Sequence, residues 1–414
     1  MEQQTFRISL RTSRPSAVKY LNDTILAGKR KGHQTFSIVV KDTPAYPNAC
    51  APIAGLLDYY RADGLTFHIL FENPRGYVVH TSFDNPSVAS AMRLSQAKNP
   101  LDTVWKFQSS AEVNQLVNAF LTEIRQADLI SSGVITSMDW CLNETMDNVL
   151  QHAQSECGYI MGQLHKERKR ISFCIFDTGI GIYNSLKVSK YQPAAPLDAI
   201  TLALQEKVTR DENVGQGNGL WGLSKLVADA QGTIRISSAG AVYMRESDGN
   251  ITTQKTGNFN LGKVHGTTLV DFQLDYSKEI NVAKALNGYM PTDYWLENVE
   301  SENGDVVIHV ASESSGTGTR QAAEKLRTLA LNTVLADRKR VILDFSGVNL
   351  VSSSYADELV GKTIGKYGFG FFLNHFAIKN LSNTNTMILN RSVQQRMAQT
   401  YYNEPISESE TDEA

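Results

Sequence analysis

Apolar and polar residues along the chain follow patterns that predict three successive globular blocks. In the first block, up to about residue 100, Phe36–Val40, Leu65–Phe71 and Tyr77–Thr81 predict strands, and Ala49–Arg61 predicts a helix. This mixture is typical of a small α/β module. The dipeptide Asn99-Pro100 is a turn signal where the block ends. The block carries no recognisable chemical motif, so its role stays open.

The second block has the longest series of regular elements. Its apolar spacing predicts strands and amphipathic helices in succession, with an irregular stretch before the last helix. The helices are expected near Ala111–Ala127, Ile135–Ala153 and Leu220–Ala230, and the strands at Val104–Gln108, Ile171–Phe176, Thr233–Ser237 and Thr267–Phe272.

The third block again alternates strands and helices, which is typical of a compact α/β layer. Strands are expected at Asp305–Val310, Arg340–Phe345 and Gly370–Leu373, and helices at Thr319–Ala336 and Ser354–Thr363.

These patterns place the chain in the α/β class. The net charge of −3 indicates neither nucleic acid nor an anionic membrane as a partner. The sequence has no signal-peptide pattern and no apolar run of membrane-spanning length, so a cytoplasmic location is expected. The expected segments are an N-terminal module at 1–100, a central domain at 101–276, a linker at 277–303, a C-terminal domain at 304–400 and a disordered acidic tail at 401–414.

Four short signals in the second block carry candidate chemistry, and the first lies on the helix predicted at 135–153. Glu144 and Asn148 are four residues apart, which places both side chains on one helix face. The Glu144 carboxylate can accept a proton from a water or hydroxyl nucleophile. The Asn148 amide oxygen suits Mg²⁺ that bridges phosphates. Taken alone, the pair is better explained as the exposed polar face of an amphipathic helix.

The second signal begins with Asp177 and directly follows a buried strand. An ionised carboxylate at a strand end can accept a hydrogen bond from the exocyclic amine of adenine. Gly179 and Gly181 allow the backbone to turn and to approach a bound base closely. A simple tight turn is the alternative, because D-x-G sequences are frequent in loops.

The third signal is a glycine-rich turn, in which Gly215, Gly217 and Gly219 precede Leu220 at the start of a predicted helix. Backbone N–H groups at a helix start can bind phosphate oxygens. Gly217, Gly219 and Gly222 also match G-x-G-x-x-G. A polar stretch rather than a strand precedes them, which excludes a dinucleotide-binding unit.

The fourth signal is the pair Thr267 and Thr268 at the entry to an apolar strand. Either hydroxyl can form a hydrogen bond with a nucleotide or with an ordered water beside Asp177. A β-turn that leads into a strand explains this segment equally well. The order of the four signals along the chain, rather than any one of them, indicates a nucleotide site.

In this order the motifs resemble the four nucleotide-binding boxes of the GHKL superfamily, which includes histidine kinases, gyrase-type topoisomerases, mismatch-repair ATPases and heat-shock chaperones. The resemblance implies a Bergerat-fold α+β sandwich over 101–276, with ATP and Mg²⁺ as cofactors. By resemblance, Glu144 is the catalytic base, Asn148 binds Mg²⁺ and Asp177 binds adenine. The glycines would contact phosphate or act as hinges, and residues 183–214 would form a lid over ATP.

Within that superfamily, Asn143–His152 is most similar to the anti-sigma-factor serine kinases, although Val149 stands where those kinases usually have a small residue. The third block agrees with this branch, because Leu343–Ser354 resembles the phosphorylatable segment of STAS domains, the anti-sigma-factor antagonists. The resemblance implies Ser353 as a phosphoacceptor, but the Asp and the Gly that flank the serines of STAS domains are absent. A helix N-cap is the alternative role for these serines.

The resemblance therefore predicts an ATP-binding regulatory protein that hydrolyses ATP or phosphorylates a protein serine as a switch. The alternative is a nucleotide-gated interaction module, in which ATP orders the lid without significant catalysis. A protein partner or regulated target is expected in either case. A homodimer, common among GHKL proteins, stays open.

Overall fold

The computed structural model describes residues 6–208, 219–256, 261, 266–288, 299–301 and 303–403, with side chains as far as residue 398. Helices and sheets are mixed throughout, which confirms the α/β class. The chain divides into two compact units. One comprises Met1–Glu123 and Gly133–Pro291, and the other comprises Ile124–Ser132 and Thr292–Ala414. Among the described residues, no helix has both the length and the apolar character that crossing a membrane requires.

The first unit begins with a three-stranded parallel sheet in the order β1-β2-β3. Parallel neighbours require a crossover connection, and a helix provides it in both cases. The strands are β1 (Phe6–Leu10), β2 (Thr35–Val40) and β3 (Thr66–Phe71), and the crossover helices are α1 (Ser16–Arg30) and α2 (Pro47–Ala62).

The segment after this sheet corrects one expectation from the sequence. Residues 77–81 were expected to form a strand, but Tyr77–His80 forms a single helical turn, α3. The Thr81 hydroxyl donates a hydrogen bond to the Val78 carbonyl at 2.8 Å and closes this turn. An apolar run of this length fits either structure, and periodicity alone does not separate them.

A mixed eight-stranded sheet forms the rest of the first unit, in the order β10-β9-β8-β11-β7-β6-β5-β4. All neighbouring strands are antiparallel except β4 and β5. The strands are β4 (Ser87–Val88), β5 (Trp105–Phe107), β6 (Gly158–His165), β7 (Arg170–Asp177), β8 (Thr233–Ser238), β9 (Ala241–Arg245), β10 (Ile251–Gln254) and β11 (Thr268–Asp275).

The helices that accompany this sheet include the two long helices expected from the sequence. They are α4 (Ala91–Gln96), α5 (Ser110–Ala127), α6 (Val134–His152), α7 (Gly181–Lys187), α8 (Pro196–Ala203), α9 (Gly219–Asp229) and α10 (Val282–Ala285).

The central strand β7 is buried on both faces, which explains its continuous apolar sequence. On one face, the Phe173 ring lies 5.3 Å from the Phe120 ring of α5, measured between centroids. On the other face, Phe176 packs so closely on α2 that a Cβ added to Gly55 would be 2.6 Å from its ring. Because side chains alternate along a strand, Asp177 shares the face of Phe173.

The second unit contains a three-stranded parallel sheet in the order β12-β13-β14. Helices connect these strands, and a π-helical turn at Asp357–Gly361 joins two of the helices. The strands are β12 (Val306–His309), β13 (Val341–Asp344) and β14 (Phe376–Lys379), and the helices are α11 (Val310–Glu313), α12 (Arg320–Leu335), α13 (Ser353–Ala356), α14 (Lys362–Tyr367), α15 (Phe369–His375) and α16 (Asn383–Asn403).

The last strand of this sheet lies later in the sequence than expected. Residues 370–373, expected as a strand, belong to helix α15, and the strand β14 follows it. An aromatic contact at helical spacing accords with the helix, because the Phe371 ring lies 4.6 Å from the His375 ring within α15, measured between centroids. Residues four apart meet on a helix face and not on a strand.

Candidate functional site

A cavity of about 540 Å³ lies in the first unit on the face of the eight-stranded sheet that carries Phe173 and Asp177. Its walls come from α6, from the junction of β7 and α7, from the start of α9 and from β11. The volume lies within the range of small-molecule sites. The residues expected from the sequence that line this cavity are Glu144, Asn148, Asp177, Gly181, Gly219, Leu220 and Thr268.

Two other expected residues, Gly179 and Thr267, do not line the cavity but lie next to residues that do. Gly179 lies against the end of α6, where an added Cβ would be 2.0 Å from the Ala153 carbonyl oxygen. The Thr267 backbone N–H donates to the Gly179 carbonyl at 3.3 Å, so these residues join the β7–α7 turn to the start of β11. Gly215 and Gly217 lie outside the described residues.

Asp177 is a fully buried carboxylate at the end of β7. Its Oδ1 accepts a hydrogen bond from the Gly179 backbone N–H at 2.8 Å, and the Thr268 hydroxyl donates to the same carboxyl group. Burial raises the pKa of Asp177 to about 7, although both hydrogen bonds act in the opposite direction. Asp177 therefore changes charge near neutral pH. In its ionised form it can accept a hydrogen bond from a buried donor group of a ligand.

Glu144 lies one helical turn from Asn148 on the cavity face of α6. Burial raises the pKa of the Glu144 carboxyl group above its usual value, and the negative charge of Asp147 raises it further. Burial also raises the pKa of Asp147. A partly desolvated carboxylate with a raised pKa is a better proton acceptor than an exposed one, which suits a general base.

Gly219, the first residue of α9, lies directly against this pair. A Cβ added to Gly219 would be 2.8 Å from the Asn148 Nδ2 and 3.1 Å from the Glu144 Oε2. The absence of a side chain thus allows the helix start to approach both polar groups. Gly181 is constrained differently, because its φ of +75° favours glycine and an added Cβ would be 2.8 Å from the Ser238 Oγ.

The charge of the cavity wall is predominantly negative. Besides Glu144 and Asp177, the carboxylates of Asp147 and Glu206 line the cavity. Among the described lining residues none is Lys or Arg. No group of three or more His, Cys, Asp or Glu side chains within the described part of the chain is placed to hold a metal ion.

Part of the wall comes from residues that sequence reasoning assigned to the linker. Leu286 and Asn287, directly after α10, line the cavity beside Trp140. Gly222 of α9 packs between these elements, since an added Cβ would be 2.1 Å from the Trp140 ring and 3.0 Å from Leu286. The apolar spacing of Val282 and Leu286 is the one sequence signal that indicates a short buried helix here.

The described part of the expected lid, residues 183–208, includes most of α7 and the whole of α8, and residues 209–214 lie outside the described part. The two helices pack on each other. Glu206, after α8, accepts a hydrogen bond from the Asn287 Nδ2 at 2.9 Å. This contact joins the segment after α8 to the end of α10 at the edge of the cavity.

In the second unit, Ser352 rather than Ser353 caps helix α13. The Ser352 Oγ accepts a hydrogen bond from the Tyr355 backbone N–H at 3.0 Å and lies 3.0 Å from the Gly318 carbonyl oxygen, to which it donates. Ser353 is exposed in the first turn of the helix. The capping role expected for this serine run therefore belongs to Ser352, and the Ser353 side chain is accessible.

Residues 322–386 match the family described as a STAS-like domain of unknown function (DUF4325). The matched region begins within α12 and ends within α16. The C-terminal domain is therefore STAS-like, as the sequence resemblance indicated. No curated protein matches the chain.

Proposed function

We propose that the first unit binds Mg²⁺-ATP in the cavity and that the chain is a regulatory protein of the GHKL type, acting as an ATPase or as a protein serine kinase. One observation carries this proposal. Four segments that are distant in sequence, represented by Glu144, Asp177, Gly219 and Thr268, line a single cavity. A polar helix face, a tight turn or a β-turn would explain each segment alone, but none of these explains why all four meet.

The Asp177 end of the cavity suits the adenine base. An ionised Asp177 accepts a hydrogen bond from the exocyclic amine, while Gly179 and Thr268 orient its carboxyl group. Ile175 and Val270 supply an apolar wall on the same side of the cavity. Apolar walls with a few well-placed polar groups are typical of small-molecule sites.

The Gly219 end suits the phosphates. Because the described wall offers no Lys or Arg, the phosphate charge would be balanced by Mg²⁺ and by backbone N–H groups at the start of α9. Mg²⁺ binds through few protein ligands together with phosphate oxygens and waters, so the single Asn148 oxygen fits this role. Glu144 would then accept the proton of the attacking water or serine hydroxyl.

A second candidate is a nucleotide-gated interaction module without significant catalysis. The hydrogen bond between Asn287 and Glu206 supports it, because this contact joins two segments at the edge of the cavity. A nucleotide that contacts either segment would change the surface that both segments present to a partner. Both candidates require nucleotide binding and differ in the role of Glu144.

Calorimetric titration of the full chain with a non-hydrolysable ATP analogue and Mg²⁺ tests the proposal. We expect binding by the wild type, loss of binding in Asp177→Asn and weaker binding in Asn148→Ala. Asp271→Asn is the matched control, because Asp271 is also a buried carboxylate of the sheet but accepts its hydrogen bond from Asn48 of α2. Absence of wild-type binding, or equal loss in Asp177→Asn and Asp271→Asn, would contradict the proposal.

A further inference from the structure

The side chain of Asn332 in α12 is almost completely buried and uses all of its strong hydrogen-bonding groups on one short backbone segment. Its Nδ2 donates to the Arg125 carbonyl at 2.7 Å and to the Asp128 carbonyl at 2.8 Å. Its Oδ1 accepts from the Ile130 backbone N–H at 2.9 Å. All four residues belong to the second unit.

The bound segment is the end of α5 and the turn that follows it. Helix α5 ends at Ala127, so the Arg125 carbonyl lies in its last turn. Asn332 satisfies this carbonyl and both sides of the following turn. A buried side chain that makes three hydrogen bonds to backbone groups restricts the conformation of the segment it binds.

The same turn leads directly into α6, which carries Glu144 and Asn148. Gly133, with a φ of +78°, precedes the first residue of α6. An added Cβ on Gly133 would be 2.0 Å from the Ile280 carbonyl oxygen, so the start of α6 also lies against the segment that leads into α10. Gly133, the residue that follows the turn, therefore joins α6 to the segment before α10 within the first unit.

We propose that Asn332, a residue of the STAS-like domain, is a positioning residue for the nucleotide cavity. By holding the turn before α6, it fixes the start of the helix that presents Glu144 and Asn148. A change in the STAS-like domain that displaces Asn332 alters nucleotide affinity through this covalent connection. The inference rests on the proposed nucleotide binding and adds the route by which the STAS-like domain controls it.

Asn385 provides a matched control for this inference. It is also a buried asparagine of the second unit, and its Oδ1 accepts from the Val351 backbone N–H at 3.0 Å while its Nδ2 donates to the Val348 carbonyl at 3.2 Å. Its hydrogen bonds hold a loop after β13 and not the turn before α6. Substitution of Asn385 thus reproduces the general cost of losing a buried asparagine without releasing α6.

The experiment measures two properties of Asn332→Ala, of the milder Asn332→Ser and of the corresponding Asn385 variants. The first is hydrogen exchange of the α6 amides without nucleotide. The second is the affinity for the non-hydrolysable ATP analogue with Mg²⁺. We expect faster exchange near the start of α6 and about fivefold weaker binding in the Asn332 variants only, a coupling within the range known for residues outside a site.

The outcomes separate this inference from the proposed function. If the wild type does not bind the analogue, the proposed function is rejected and this inference with it. If the wild type binds and the Asn332 variants match the Asn385 variants in affinity and in α6 exchange, the inference alone is rejected. Should Asn332→Ala fail to fold, Asn332→Ser, which keeps one hydroxyl for the turn, provides the same comparison.

Discussion

Asp177 and Asp271 are buried carboxylates on the neighbouring strands β7 and β11, but their side chains lie on opposite faces of the sheet. Asp177 lines the cavity, whereas Asp271 accepts a hydrogen bond from Asn48 of α2 at 2.9 Å. Burial raises the pKa of Asp177 to about 7 and that of Asp271 to about 6. Ionisation of either carboxylate lowers the free energy of unfolding, because both are buried. Of the two, only Asp177 lines the cavity, where it can contact a ligand.

The first prediction concerns stability and pH. An aspartate in the unfolded chain has a pKa near 3.9, so between about pH 4 and pH 7 the folded state retains a proton on Asp177 that the unfolded state has lost. The contribution of Asp177 to the free energy of unfolding therefore falls as pH rises through this range. We expect the free energy of unfolding of Asp177→Asn, relative to that of the wild type, to rise by about 3 kcal/mol from pH 5 to pH 8. Urea denaturation of the nucleotide-free protein at both values measures it.

The pH dependence of nucleotide affinity tests the same ionisation of Asp177. The wild type should bind the ATP analogue more weakly below pH 7, because a protonated Asp177 loses the charge that attracts the amine of adenine. Asp271→Asn should keep this dependence of nucleotide affinity on pH. Its free energy of unfolding should lose only the part of the pH dependence that comes from Asp271. A pH-independent affinity of the wild type between pH 6 and pH 8 would argue against contact between Asp177 and the base.

The second prediction concerns the close approach of α9 to α6. Gly219→Ala places a methyl group at 2.8 Å from the Asn148 Nδ2, which displaces the amide group that we propose for Mg²⁺. We expect about tenfold weaker Mg²⁺-dependent binding of the ATP analogue, equivalent to ~1.4 kcal/mol, with little change in stability. Titration calorimetry measures the affinity.

Gly370→Ala is the control for this substitution. Gly370 also lies in a helix, but an added Cβ would meet nothing within 4 Å. Its replacement should leave binding unchanged and stabilise the helix by up to about 1 kcal/mol. Wild-type affinity in Gly219→Ala would show that the start of α9 and Asn148 do not act together on the nucleotide.

The third prediction separates the enzyme from the nucleotide-gated module. If Glu144 is the base, Glu144→Gln should lower phosphate release or phosphotransfer by about 100-fold or more while the analogue still binds. Asp147→Asn should shift the pH midpoint of the reaction downwards, because it removes a charge that raises the pKa of Glu144. Initial rates of phosphate release across pH 5–9 measure both effects. Unchanged rates in Glu144→Gln would leave the gated module as the better account.

The long, strongly periodic elements could be predicted from the sequence. The helices α5 and α6 and the strand β7 lie close to their expected positions, since amphipathic spacing or a continuous apolar run marks each of them. The strand β6 gave no such signal, because glycines interrupt it. At Gly158 and Gly162, an added Cβ would be within 2.4 Å of a phenylalanine ring from a neighbouring strand. Only the folded sheet shows why glycine is required there.

The candidate site shows the same division between local and distant information. The spacing of Glu144 and Asn148 is local, so the sequence could place them on one helix face. The contribution of Leu286 and Asn287 to the cavity depends on the return of the chain from β11 towards α6, which no local pattern records. The Asn332 contact with the turn before α6 is likewise invisible in the sequence, because about two hundred residues separate its partners.

The fourth prediction concerns the serine run of the STAS-like domain. Ser352→Ala removes the acceptor for the Tyr355 N–H and should lower the free energy of unfolding of this domain by about 1 kcal/mol. Ser353→Ala removes an exposed hydroxyl and should change it by less than ~0.5 kcal/mol. Chemical denaturation of the two variants tests whether capping and accessibility are divided between adjacent serines.

Phosphorylation should follow the same division. After incubation of the full chain with Mg²⁺-ATP, we expect phosphate on Ser353, retained in Ser352→Ala and absent in Ser353→Ala, as measured by peptide mass spectrometry. A phosphate in the first turn of a helix is favoured by the helix dipole. The nearest acidic group along the helix, Asp357, is already bound by Arg396 through two hydrogen bonds of 2.7 and 2.8 Å, which reduces its repulsion of a phosphate. Phosphate on Ser352 instead would mean that the cap opens before transfer, and the assignment of Ser353 would be wrong.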